Sequence, residues 1–366
     1  MTLSLYIARR YLRALGIVAG AFIGVLFLIE IVEQLRGLDA QQGGLSDAAL
    51  LAALSLPKTV YRIFPLITVL AAVVLFLGLA RSSELVVIRA AGRSALRMLV
   101  APVMVALLIG VALVMLGNPI VSATTKRADE IEGAMKAEGM QTISVSREGI
   151  WMRQGTADGG QAVIHALRGN AEATALYDVS FLIFDDTRGP IRRIDAATAQ
   201  LGRGAWYLHD AKDWPLGSST NPERDAIHAT SLLLPSTLTA QSIADSFDSP
   251  SAVPIWELPA FIRALTSAGF SARRHMVWFQ MELSQPLMLA AMVLVAAGFT
   301  MRPARFGGTG GRVLLALLAG LSVFFLRNMA QVLGDNGQIP SALAGWAPPA
   351  IAAMLALALV LQQEEG

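Results

Sequence analysis

The chain has 366 residues, 54% hydrophobic and 15% charged, with a formal net charge of +2 and no cysteine. A soluble domain carries about 25% charged residues, so the deficit excludes an ordinary soluble protein and points to lipid. The absence of cysteine excludes disulfides, zinc thiolates and cysteine nucleophiles. Because the arginines cluster beside apolar runs, the basic balance reads as membrane orientation and does not imply nucleic-acid binding.

The apolar run Ala14 to Ile29 follows Arg9, Arg10 and Arg13 and continues through Ile31 and Val32. It outruns a signal-peptide core and lacks a small-x-small cleavage site, so it reads as a retained first span. Gly16, Gly20 and Gly24 fall on one smooth face that another helix could approach closely. Glu30 and Glu33 lie near the far interface, where carboxylates should face water or a cavity. A second span begins before Pro57 and ends by Ala80. Lys58 and Arg62 share one face at its outer end and, with Arg36, form a basic set at the level of Glu33. These residues either grip an anionic headgroup or anchor the interface by snorkelling.

Between the second and third spans lies a charged island, Arg81 to Arg97. Ser82 or Ser83 is placed to cap a short helix, Glu84 suits the positive end of its dipole, and Gly92 suits its end. Leu85, Ile88 and Arg89 share a face, and Ser94 can start the next helix. A helix that short is marginal alone, so either flanking spans or a partner must hold it. From these residues alone, an ordinary positive-inside loop is the simpler reading.

Leu99 to Leu116 is the third span, whose apolar core ends at Asn118-Pro119. From there to about Ser251 charges become frequent. Runs at Gln161 to Leu167, Leu176 to Phe184, Ile191 to Leu201 and Ala205 to Leu208 are strand-like and separated by turn signals, predicting a β domain of sandwich or jelly-roll type. Helices at Lys126 to Ala137 and Ile255 to Leu265 should join it to the membrane. The second carries Leu258, Phe261, Ile262 and Leu265 on one stripe, which suits an interfacial helix. Glu282 to Met301, Val313 to Leu333 and Ala342 to Leu361 complete six spans. The arginine groups at 9 to 13, 81 to 97 and 302 to 312 all fall on one side, so both termini share it and the β domain lies opposite. Arg327, Asn328 and Glu282 are intramembrane polar groups, and the expected pairing sets Arg327 against an acidic group on a neighbouring helix.

Catalytic patterns are missing. His165, His209, His228 and His275 show no HExxH spacing and are read as lying in the external segment, solvated or structural. Phe306 to Arg312 is glycine-rich but lacks the Lys-Ser/Thr of a phosphate loop, so it reads as a flexible turn. Any nucleotide must be bound by another chain, and no cofactor or metal is expected.

The order of motifs resembles the lipopolysaccharide export permeases LptF and LptG over essentially the whole chain. The matching elements are Leu56-Pro57-Lys58 with Pro65, Arg81-Ser82-Ser83-Glu84-Leu85-Val86-Val87 through Ala91-Gly92, Gln285-Pro286-Leu287, and Pro303 with Arg305. The wording of the second and third is nearer the LptG branch, with LptF as the alternative. The resemblance implies a six-span α-helical membrane protein with an inserted periplasmic β-jelly-roll. Its parts are spans one to three with the coupling helix 81–92 (residues 1–120), the β domain with helical connections (121–270), and spans four to six (271–366).

The resemblance further implies an ATP-binding-cassette exporter of the bacterial inner membrane. It contains an LptF–LptG heterodimer, an LptB-type ATPase dimer, an LptC-type anchor and a periplasmic jelly-roll bridge, and it carries lipopolysaccharide. Arg81, Glu84, Leu85, Ile88, Arg89 and Gly92 would then couple to the ATPase, with Glu84 as the contact. Glu30, Glu33, Arg36, Lys58, Arg62 and Arg327 would face the substrate cavity. Gly16, Gly20 and Gly24 would lie on a lateral gate against the partner's fifth span. The chain departs from the family in lacking basic residues at Glu30 and Gly37, and in placing Arg327 where a relative is acidic. A membrane-anchored sensor and an intramembrane enzyme are the readings from other classes. The sensor would need a larger cytoplasmic output module than the short pieces provide.

Overall fold

The computed structural model describes residues 2–37, 44–90, 94–135, 143–146, 149–155, 161–170, 174–185, 189–217, 221–236, 238, 250–267, 269–301 and 309–365. It divides into two compact units, residues 1–129 with 273–366, and residues 130–272.

In the first unit, α1 (Thr2–Gly37) and α2 (Leu45–Arg81) are long apolar helices, followed by the short α3 (Glu84–Ala90) and by α4 (Ala95–Ala112). The unit is completed by α7 (Arg273–Thr300), α8 (Thr309–Asp335) and α9 (Ser341–Glu365). Among the described residues, six helices are long and apolar enough to cross a membrane. Helix α2 starts with a capping contact, the Asp47 carboxylate accepting from the Gly44 N–H at 2.9 Å. Its Pro57 and Pro65 lie inside a continuous helix. Ser94 starts α4 as expected, its hydroxyl accepting from the Arg97 N–H at 3.3 Å.

The third span does not stop where its apolar core does. Helix α4 passes through a π-helical turn, Leu113–Gly117, into α5 (Asn118–Met135), which takes in residues 126–135 of the connecting helix expected from Lys126 to Ala137; 136 and 137 lie outside the described residues. The reason is Pro119: a proline ring clashes with the carbonyl four residues back, and the wider turn makes room without breaking the helix. Gly110 of α4 lies directly against Pro286 of α7, so closely that a Cβ there would collide with the proline Cα. The core of this unit is a layer of Ile67, Leu75, Phe76 and Leu79 from α2 packed on Met288, Leu289, Met292 and Val293 from α7. Helix α1 stays at the edge of that core, only its first half contributing the buried Ile7, Tyr11 and Leu15.

Among the described residues, the second unit holds a seven-stranded antiparallel sheet in sequence order. Its strands are β1 (Ile143–Ser146), β2 (Gly149–Gly155), β3 (Gln161–Gly169), β4 (Ala175–Asp185), β5 (Gly189–Gly202), β6 (Ala205–Pro215) and β7 (Ile227–Pro235). The β domain is therefore present, and its described connections are those of a meander. Alternation sends Ile150, Ile164, Phe181, Ile194, Trp206 and Leu208 to one buried face, while Trp151 stays half exposed beside His165 on the other. The helix α6 (Leu258–Ser267) corrects one expectation: its apolar stripe covers the sheet instead of lying in a membrane interface. Leu265 is fully buried in the sheet's core with Phe270, and Phe261 and Ile262 pack against it.

Two further readings change. His275 lies in α7, buried within the membrane unit and not in the external segment, because α7 begins at Arg273, well before the apolar run. In the glycine-rich stretch, Thr309 to Arg312 form the first turn of α8, while 306–308 lie outside the described residues.

Candidate functional site

The island between the second and third spans is held by side chains from three elements. Helix α2 ends at Arg81, and Ser83 adopts a left-handed conformation, φ 59°, that turns the chain sharply into α3. The Ser83 carbonyl accepts from the Val86 and Val87 N–H groups and so starts that helix. Of the two serines anticipated as caps, Ser83 stands at the start of α3 and Ser82 does not. The one hydroxyl hydrogen of Ser82 is instead shared between the Gly78 carbonyl at 2.9 Å and Glu84 Oε1 at 2.6 Å. Leu85 and Ile88 are buried against the bundle, and Val86 and Val87 are exposed. Gly92 and the Arg89 side chain lie outside the described residues.

Glu84 faces inward to α1. Its Oε1 accepts from Arg10 Nη1 at 2.6 Å and its Oε2 from the Tyr6 hydroxyl at 3.0 Å. Arg10 also donates to the Tyr6 oxygen at 2.7 Å. Partial burial pushes the Glu84 carboxyl up, but hydrogen bonds from Ser82, Arg10 and Tyr6 outweigh it and hold the group below its ordinary value. An open recess of about 690 Å³ lies here, lined by Leu5, Tyr6, Arg9, Arg10, Arg13 and Glu84.

At the other end of α1, a belt of charge crosses the bundle. Glu30 is within side-chain hydrogen-bonding reach of Thr59 and interacts electrostatically with Glu33 and Lys58. Lys58 and Arg62 are exposed one turn apart on α2. Arg62 acts through space on Arg327 of α8, a buried cation that it repels. Arg327 interacts with Glu282 of α7, which is buried as well and accepts hydrogen bonds from Tyr61 and Asn118. Among the described residues, the acid whose charge acts on Arg327 is Glu282, through space and not by a hydrogen bond. Of the residues assigned to a cavity, five form this belt; Arg36 is exposed beyond Glu33. A Cβ added at Gly16, Gly20 or Gly24 would meet nothing within 4 Å among the described residues, which leave that face uncovered.

Comparison with known proteins settles the family. The profile of the lipopolysaccharide export system permeases LptF/LptG matches residues 5–362. The chain belongs to this family. It is similar to the lipopolysaccharide export system permease protein LptG of Haemophilus influenzae, 25% identical over 343 residues that cover 92% of this chain and 91% of that one. It is also similar to the LptG protein of Escherichia coli strain K12, 27% identical over 335 residues that cover 90% of this chain and 87% of the relative.

As a member of the LptF/LptG family, the chain is an integral membrane protein with a β domain between its third and fourth spans. Sequence reasoning missed Tyr6, Arg10, Tyr61 and Asn118. Arg10 was legible only as a topology marker. Tyr61 stood one residue from Arg62 without any charge to draw notice, and Asn118 read as a helix end.

Proposed function

We propose that this chain fills the LptG place in an exporter that draws lipopolysaccharide from the outer leaflet of the bacterial inner membrane toward a periplasmic bridge. The observation that carries this reading is a family match running through both units, from residue 5 to residue 362, together with relatives that bear the LptG name. On this reading both termini and α3 are cytoplasmic, and the β domain is periplasmic. An LptF-type chain pairs with this one, with Gly16, Gly20 and Gly24 facing its fifth span. An LptC-type anchor and an LptB-type ATPase dimer complete the assembly, and the ATPase supplies the hydrolysis.

The ATPase docks on α3. Exposed Val86 and Val87 offer it an apolar patch, and Glu84, with 31% of its side chain exposed, retains an edge that a partner can reach. The lipid's anionic headgroup approaches the outer end of α2, where Lys58 and Arg62 are exposed and water is close enough to moderate their desolvation. Nucleotide closure moves the cavity between two shapes, and transport follows only if lipopolysaccharide binds one of them better.

Native mass spectrometry of the tagged chain, extracted gently from its own membranes, tests the assignment. One copy with a homologous six-span chain, two copies of a small ATPase and bound lipopolysaccharide is the expected result. A lone chain or homodimer carrying ordinary phospholipid would reject it.

A further inference from the structure

We propose that Arg10, assisted by Tyr6, is the joint through which movement of α3 is passed to α1, an inference that rests on the exporter reading above. The Arg10 guanidinium belongs to α1 yet touches two other elements. It donates to Glu84 at the head of α3 at 2.6 Å. It also lies over Gly78 in the last turns of α2, where an added Cβ would stand 3.3 Å from Arg10 Nη2. Tyr6, one turn earlier on α1, donates to the second Glu84 oxygen. The carboxylate is therefore gripped at both oxygens by one helix, which fixes direction as well as distance.

What lies beyond the joint gives it a use. Helix α1 runs unbroken from Thr2 to Gly37 with no proline inside it, so it can act as a rod. Roughly 30 Å of helix separates Arg10 from Glu30 at about 1.5 Å per residue. Only 6% of the most apolar stretch of this span is buried, against 61% for α2 and 72% for α7. Most of the surface of α1 is thus left open by this chain, the helix lying chiefly along α2, and the Arg10–Glu84 pair is a polar tie at its first end. A tilt of α3 then moves Glu30 against Thr59 and Lys58, at the belt assigned to the substrate. Arg10 is a positioning residue that acts through Glu84, and it need not touch lipid or nucleotide.

The absence of native cysteine permits clean labelling. Spin labels at Val32→Cys and Leu50→Cys, both exposed positions, report the far end of α1 against α2 in the complete complex in vesicles. In the otherwise unaltered complex, trapping the ATPase with nucleotide changes this distance and lipopolysaccharide is released. Failure of both rejects the exporter reading itself. Given both, Arg10→Ala should abolish the nucleotide-driven distance change and lower lipopolysaccharide released per ATP hydrolysed about tenfold, the loss of one charge-assisted hydrogen bond. Arg10→Lys should recover part of each. A distance change in Arg10→Ala equal to that of the unaltered complex overturns the joint. If Arg10→Ala does not assemble, Tyr6→Phe decides: a reduced distance change upholds the proposal, and an unaltered one overturns it.

Discussion

Tyr61 of α2 donates its phenolic hydrogen to the Glu282 carboxylate of α7, joining two helices at a point where both side chains are buried. The other Glu282 oxygen is buried without a hydrogen bond among the described residues. The site is thus already short of donors, and each remaining donor matters more. Tyr61→Phe should cost about 1–3 kcal/mol, the penalty for leaving a buried acceptor unmade. Arg327→Met should cost more, about 3–5 kcal/mol, because it strands a buried acid beside no cation. Thermal inactivation in detergent measures both. Pairing Arg327→Met with Glu282→Gln should recover much of the loss; strictly additive losses would show that the two do not act on each other.

The membrane spans and this pairing were legible to different degrees, for a physical reason. Apolar runs such as Leu99 to Leu116 announce themselves because lipid demands them. Helix ends do not, since a polar turn at the interface continues as helix whenever its backbone bonds can be satisfied there, as α5 does beyond Asn118. The strands β3, β4 and β5 and the start of β6 are visible from composition and turns, while β1, β2 and the largely exposed β7 carry no clear alternation bounded by turns. Arg327 was expected to meet an acid, but sequence spacing holds nothing that selects Glu282 over Glu30 or Glu33. Likewise Glu84 was legible as the head of a helix, whereas its tie to Arg10 depends on how α1 passes α3 in space.

Charge at the outer end of α1 and α2 gives a functional prediction. Arg36→Glu with Lys58→Glu inverts two exposed cations while leaving the buried core untouched. The double variant should capture lipopolysaccharide about tenfold less or lower still, judged by photocrosslinking from a probe in α2, and still assemble with its ATPase. At about 1 kcal/mol per interfacial charge, a fall of roughly tenfold or more is expected. Undiminished crosslinking would remove these residues from the cavity.

In the β domain, α6 ends in a backbone arrangement that only glycine suits. Gly269 has φ +88°, its N–H donates to the Thr266 carbonyl at 3.1 Å, and the Phe270 N–H reaches back to Leu265 at 2.9 Å. A Cβ there would also run into the Gly169 carbonyl at the end of β3. Gly269→Ala should therefore cost the domain more than about 1 kcal/mol. Its first consequence is release of the Leu265 and Phe270 plug from the sheet. Limited proteolysis of the full chain should show faster cleavage between residues 250 and 272 with the membrane helices intact. Equal cleavage rates would mean that the sheet holds α6 by other contacts.

Acid should open the Arg10–Glu84 tie, and the direction of the Glu84 shift sets where. Its carboxyl is lowered from 4.5, partial burial being outweighed by the donors Ser82, Arg10 and Tyr6. A depressed carboxylate contributes stability that is present above the unfolded value and is lost as pH falls through the folded one. The tie is consequently complete across pH 6 to 8 and weakens only below 4.5. Because Glu84 and Arg10 are each 31% exposed, solvent screens the pair and the effect on whole-protein stability is small. Spin labels at Leu5→Cys on α1 and Val87→Cys on α3, both exposed, should hold a constant separation from pH 8 to 6 and broaden below 4.5. Glu84→Gln should show the broadened separation at every pH. A transition near pH 6 to 7 that survives in Glu84→Gln would assign the acid response to another group.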